Sequence, residues 1–285
     1  MGDREIFAVG GLGGSGTRVV AQIFQRLGFY PGPLLNQAQD CLLFTLLFKR
    51  PAWFKAFPSE AEIEQAAGLF LAAMTGGLEA QVPRLGEKTL ENLVAEADHC
   101  RVPIGFAAAD VMAMRAAPAP EIKNYAGLAW KEPNTHVFLP WLAAFLPGLR
   151  YVHVIRHGLD MALSRNRLQL AYWGRFFDVK PEPSERIEHT QLRFWAVANR
   201  RAIEFGRRHM GARFLLLRHD DLCRDPDREI ARLAAFAGRN LCDADHAELR
   251  GMIDPMTRNR YRDAPDGFFT ENDRETVRRL GFEVK

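Results

Sequence analysis

Apolar and polar residues follow two different periods along this chain, and the switches between them mark its elements. Ile6 to Val9 is a short apolar run that breaks into a glycine cluster, the pattern of a buried strand. Val19 to Leu27 then carries its apolar residues at helical spacing, and Phe29 to Pro33 is a breaker cluster that ends it. Leu42 to Phe48 and Ala61 to Met74 read as helices, the second with Ile63, Ala66, Ala67, Phe70 and Leu71 on one face. Pro83 to Ala119 is poorly periodic and predicts short helices and loops. Phe138 to Leu146 reads as a helix stopped by Pro147 and Gly148, followed at once by Arg150 to Ile155, a β-branched and aromatic run typical of a buried parallel strand. Leu159 to Leu170 and Ser184 to Arg208 read as helices, Phe214 to Leu217 as a third core strand, and Asp225-Pro226 as the opening of a helix that runs to Gly238.

Strands alternating with helices argue for an α/β fold, a parallel sheet with helices on its faces. A chain of 285 residues suits a single domain, 1–285, with a helical insertion over roughly 40–125. The net charge of +3 is too small to imply nucleic-acid binding, yet it leaves room for a local basic pocket. Cys41, Cys100, Cys223 and Cys242 show no paired spacing, so neither a zinc site nor a disulfide framework is expected. Met1 to Glu5 lacks the apolar core of a secretory leader, no run is long enough to span a bilayer, and Ile6 replaces the Ser or Thr that myristoylation at Gly2 requires. A cytoplasmic protein with no integral membrane segment is the expectation.

The candidate chemistry begins at the glycine cluster. Strand, glycine loop and helix N-terminus together make an anion site, with backbone N–H groups turned inward and the helix dipole adding positive potential. Gly11, Gly13 and Gly16 match the dinucleotide fingerprint, but that fold needs a second strand where Pro31-Gly32-Pro33 stands. Gly11 and Gly16 also have Walker A spacing, but Thr17 occupies the lysine position, so a kinase or NTPase would lack its main clamp. A tight turn with no ligand is a third reading. Five glycines between Gly10 and Gly16 make it a poor choice for stability alone.

Ser15-Gly16-Thr17 after a strand resembles the 5′-phosphosulfate loop of sulfotransferases that use 3′-phosphoadenosine 5′-phosphosulfate (PAPS). Three other segments agree, in the right order. Tyr151 to Ser164 resembles the family's 3′-phosphate motif, with Arg156 ending a strand and Ser164 eight residues on, inside the following helix. Trp130-Lys131-Glu132-Pro133-Asn134 resembles the Lys-Asp-Pro or Lys-Thr-Pro element of tyrosylprotein and bacterial members. Leu215 to Pro226 resembles the late strand with its acidic pair, whose carboxylates read as structural, capping or pairing with Arg218 or Arg224. The resemblance implies a P-loop-like three-layer fold and PAPS-dependent transfer of a sulfuryl group to a hydroxyl, with 3′-phosphoadenosine 5′-phosphate (PAP) as the product.

What the resemblance implies for the site follows residue by residue. Gly13, Gly14, Ser15, Gly16, Thr17 and Arg18 would cradle the phosphosulfate, and Arg156 with Ser164 would hold the 3′-phosphate. Arg258 and Arg260, in a late basic loop, would close over the nucleotide, unless that run is a solvated face. The family places Lys or Arg where this chain has Gly14, so the cation must come from elsewhere: Lys131 first, Arg18 second. The base is expected at Asp40, which could equally cap the helix at Leu42, with Glu87 in Gly86-Glu87-Lys88-Thr89 second and His136 and His153 behind them. No metal is required, because cations and oriented dipoles carry the charge. The acceptor is open, carbohydrate being preferred for a basic protein. Phe44, Phe48, Trp53, Phe54, Tyr172 and Trp173 are candidates for its cleft or for the core. A degenerate-loop kinase and an inactive PAP-binding module are the alternatives.

Overall fold

The computed structural model describes residues 5–56, 58–98, 108–254 and 258–284; Met1-Gly2, Cys100 and Thr257 lie outside them. Four parallel strands, β1 (Glu5–Gly11), β2 (Gly127–Lys131), β3 (Leu149–Ile155) and β4 (Phe214–Arg218), form one sheet in the order β2-β1-β3-β4. Period-two alternation sorts the side chains of β1 and β3 between two cores. Phe7, Val9, Val152 and Val154 enter one, while Ala8, Tyr151 and Ile155 enter the other.

Helices cover both faces, which explains why the central strands are mostly apolar on both sides. Helix α1 (Thr17–Arg26) follows the glycine loop and buries Val20, Ile23 and Phe24 against the first core. Between it and β2 the described elements are helical: α2 (Leu42–Phe48), α3 (Pro51–Lys55), α4 (Glu60–Gly76), α5 (Val82–Leu85), α6 (Glu87–Asp98) and α7 (Ala108–Ala116), with short 3-10 turns. Ser59 and Glu62 form a reciprocal capping box that starts α4. Helices α8 (Thr135–Phe145), α9 (Gly158–Ala162), α10 (Leu168–Trp173) and α11 (Ile187–Phe205) belong to the second core. Helices α12 (His219–Arg224), α13 (Pro226–Phe236) and α14 (Asp243–Gly251) return to the first, and α15 (Glu271–Arg279) packs on α9 and α11.

Two elements differ from the sequence reading. Gly127 to Lys131 is a strand, fully buried and paired with β1 from Glu5↔Gly127 to Val9↔Lys131. Leu159 to Leu170 is not one helix: α9 ends at Ala162, and Ser164 lies in the link before α10, its hydroxyl accepting from the Asn166 N–H. Among the described residues no helix is long and apolar enough to cross a membrane.

Because all four strands are parallel, their C-terminal ends open on one edge. The chain leaves β1 toward β2 on one side, while β3 lies on the other, so a crevice opens where the connections diverge. The register brings Gly11, Lys131, Arg156 and His219 to that edge.

Candidate active site

A cleft of about 440 Å³ occupies this crevice, lined by Gly13, Gly14, Gly16, Thr17 and Arg18 from the loop and α1. Its other walls include Asp40, Lys49, Lys131, Glu132, Asn134, Arg156, Gln169, Tyr172 and His219. The loop's shape requires glycine at two points. Gly14 and Gly16 have φ of +93° and +94°, in the left-handed region, and a Cβ on Gly16 would sit 2.1 Å from His219 Cδ2.

Not every loop amide is available to a ligand. Gly11 N–H donates to Pro133 O, Ser15 N–H to Leu12 O, and Gly13 N–H to Gln169 Oε1. The amides of Gly14 and Gly16 and those opening α1 are left as donors, as at any helix start. Ser15 lies beneath the cleft, 1% exposed, with its hydroxyl near Gly11 and no hydrogen-bond partner. An orphaned hydroxyl under a glycine cradle with outward amides fits an anionic group.

Arg156 continues directly from β3 and lines the cleft from a buried position. Its Nη1 donates to Gly14 O at 3.1 Å and its Nη2 lies 3.6 Å from Asp160 Oδ2. Asp160 is fully buried and accepts the N–H groups of Asn259 and Tyr261, pinning the late basic segment beside Arg156. Arg260 donates to Asp160 O at 3.2 Å, and Arg258 lines an adjoining basic cavity with Arg218, Arg224 and Arg262. His219 is pushed down to about 4 by burial, then by Arg156 and Arg258, so it is neutral near pH 7.

Lys131 and Asp40 meet across the cleft as an ion pair, and Lys131 Nζ also donates to Ala38 O at 2.9 Å. The link between α1 and α2 is built to present Asp40. Asn36 Oδ1 accepts the N–H groups of Ala38 and Asp40, Asn36 Nδ2 donates to Asp40 Oδ2, and Cys41 N–H donates to Lys131 O. Helix α2 starts after Cys41 with no side-chain cap, so Asp40 faces Lys131 rather than capping it.

The structure thus gathers the loop, Arg18, Asp40, Lys131 and Arg156 in one cleft, and sets other candidates apart. Glu87 opens α6 and is ion-paired with Arg115, exposed and outside the cleft. Ser164 does not line this cleft and lies two residues past the end of its helix. His153 is buried, bonded to Tyr151 and Asn199, and His136 is buried beside it. Phe44, Phe48, Phe54 and Trp173 pack in the aromatic core around Phe138; of the six aromatic candidates only Tyr172 lines the cleft. The late carboxylates are structural: Asp225 caps α13, Asp220 accepts the His157 N–H, and Asp221 pairs with Arg224.

The sequence reading gave no role to Glu132. It is 1% exposed, and burial pushes its carboxyl up to about 7 against the pull of Lys49, Asn134 and Lys131. A carboxylate directly following a strand-end lysine was the available signal, and it required β2 to be recognised.

The profile of the Sulfotransferase family matches residues 6–243, from the start of β1 into α14. This chain belongs to the sulfotransferase family. The match takes in the glycine loop, Asp40, Lys131 and Arg156 and stops short of Arg258 and Arg260. The sulfotransferase domain of the Synechococcus PCC 7002 olefin synthase is similar in structure, at 17% identity, TM-score 0.50, covering 99% of this chain and 98% of that one. The sulfotransferase domain from the curacin biosynthetic pathway gives 15% identity, TM-score 0.53 and 99% coverage of both chains. Sulfotransferase STF9 from Mycobacterium avium gives 14%, TM-score 0.51, and coverage of 99% and 78%. At these identities the likeness concerns the fold of this sulfotransferase. No curated protein sequence matches the chain.

Proposed function

We propose that this sulfotransferase moves the sulfuryl group of PAPS to a hydroxyl of a carbohydrate acceptor, by in-line displacement at sulfur. The observation that carries the reading is the convergence of Arg156, the glycine cradle and Lys131 on one cleft at the parallel sheet's switch point. In this reading the free amides of Gly14, Gly16 and the start of α1 take the 5′-phosphosulfate. Arg156 offers its planar fork to the 3′-phosphate, with Arg260 next to it.

Departure of PAP develops negative charge on the oxygen that bridges sulfur and the 5′-phosphate. Lys131 answers that charge in place of the cation missing at Gly14. Asp40 accepts the acceptor's hydroxyl proton, and its ion pair with Lys131 keeps it aimed. The S–O bond to PAP breaks as the S–O bond to the acceptor forms, and the hydroxyl proton goes to Asp40. Asn36, Thr45, Lys49 and Tyr172 give the remaining wall a polar, cationic character that suits a hydroxyl-rich acceptor. Lys49 stands 5.9 Å from the Tyr172 ring centroid there.

The test is transfer of radiolabelled sulfate from PAPS to panels of carbohydrate, peptide-tyrosine, phenol and lipid-headgroup acceptors. Label on carbohydrate alone is expected. Label on another class would move the acceptor assignment, and magnesium-dependent ATP turnover without PAPS binding would replace the whole reading.

A further inference from the structure

Three polar side chains at the β2 end of the cleft form a continuous hydrogen-bond chain. Glu132 Oε2 accepts the Asn134 backbone N–H at 2.6 Å, and Glu132 Oε1 accepts Asn134 Nδ2 at 2.8 Å. Asn134 Oδ1 accepts both Gln169 Nε2 and Trp173 Nε1, each at 2.8 Å. Gln169 Oε1 accepts the Gly13 N–H at 3.1 Å. Two groups that can only donate, the Gly13 N–H and the Trp173 indole N–H, fix the direction of the links, so each amide has one orientation that satisfies its neighbours. Backbone bonds run alongside: Gly11 N–H to Pro133 O, and Glu132 N–H to Val9 O.

We propose that Glu132, Asn134 and Gln169 form a positioning relay that holds the Gly13 end of the glycine loop in register with Lys131 at the end of β2. The proposal rests on the reading that the loop holds PAPS, and it names what sets the loop's geometry before the nucleotide arrives. The chain crosses the cleft wall rather than the core, because Gly13, Glu132, Asn134 and Gln169 all line it. It also uses up the Gly13 amide, which directs the ligand to the amides of Gly14, Gly16 and the first turn of α1. A loop fixed in this way has less conformational freedom to lose on binding, which is how preorganisation raises affinity.

The experiment uses the full-length protein and two readouts, hydrogen exchange at the Gly13 amide in the free protein and PAP affinity by calorimetry. Gln169→Ala should speed Gly13 exchange at least tenfold, leave exchange at Ala8 in β1 unchanged, and weaken PAP about fivefold, the worth of one neutral hydrogen bond. Gln169→Glu keeps an acceptor for Gly13 but sets an acceptor against Asn134 Oδ1, so it should give the same losses. Glu132→Gln acts at the far end, without touching the loop, and should also speed Gly13 exchange. Wild-type exchange and PAP affinity in Gln169→Ala would overturn the proposal. Unchanged Gly13 exchange in Glu132→Gln would overturn the relay even if Gln169 matters locally. A wild-type protein that fails to bind PAP would sink the PAPS reading, while the exchange readout would still decide the relay.

Discussion

Lys131 and Asp40 form a nearly dry ion pair, their side chains 4% and 13% exposed, and each was expected at the site for a different task. Their pairing joins the two tasks: the group that stabilises the leaving oxygen also holds the base. Removing one partner of such a pair leaves a charge in a poorly solvated place, which costs on the order of a few kcal/mol. Asp40→Asn is therefore expected to lower the melting temperature and to cut turnover about a hundredfold or more, the worth of a positioned base, while PAP affinity falls far less. Parallel losses in turnover and PAP affinity would instead make Asp40 a binding or folding residue. Arg156 was legible because an arginine closing an apolar strand run faces the sheet's open edge whatever lies beyond it. The end of α9 at Ala162 was not, because Leu159 to Leu170 carries no Gly or Pro to mark it.

At the scale of elements, the glycine loop and α1 depend on close approach. Gly16→Ala would put a methyl into the His219 ring on a backbone at φ +94°. It should shift the start of α1 and weaken PAP binding at least tenfold, whereas Gly148→Ala, with nothing within 4 Å of its added methyl, should bind normally. Calorimetry on the two variants checks this, and normal PAP binding by Gly16→Ala would mean that the loop does not hold the nucleotide. Strands β1, β3 and β4 could be read from the sequence because their apolar residues are concentrated, and in β1 and β3 partly β-branched. Strand β2 could not: three of its five residues, Gly127, Ala129 and Lys131, are of types depleted in strands, and pairing with β1 decides their conformation. Missing β2 hid the relay, since only a strand ending at Lys131 sets Glu132 and Asn134 beside the loop. Hydrogen bonds between residues 156 positions apart, as from Gly13 to Gln169, leave no spacing signal.

For the whole molecule, buried titrating groups pull stability in opposite directions with pH. His153 and His219 are each held down to about 4, so between there and 6.5 the unfolded chain binds more protons and stability rises with pH. Glu132 works the other way. Its carboxyl is raised from 4.5 to about 7, so across that window the folded state binds the extra proton and stability falls as pH rises. The melting temperature of wild type minus that of Glu132→Gln should therefore decrease from pH 4.5 to 7 and level off above. A difference that stays flat across that window would show that Glu132 titrates normally. The parallel sheet was implied by the order of strands and helices, whereas its switch-point crevice depends on β2 and emerged only in the fold; the family match extends over most of that order. The central claim is that this crevice holds the nucleotide through Arg156, and calorimetric titration with PAP tests it most directly. Wild type should bind one PAP per chain, and Arg156→Ala, which loses a charged hydrogen-bonding fork, should bind about tenfold to a hundredfold more weakly. Equal affinity in the two proteins, or no binding by wild type, would contradict it.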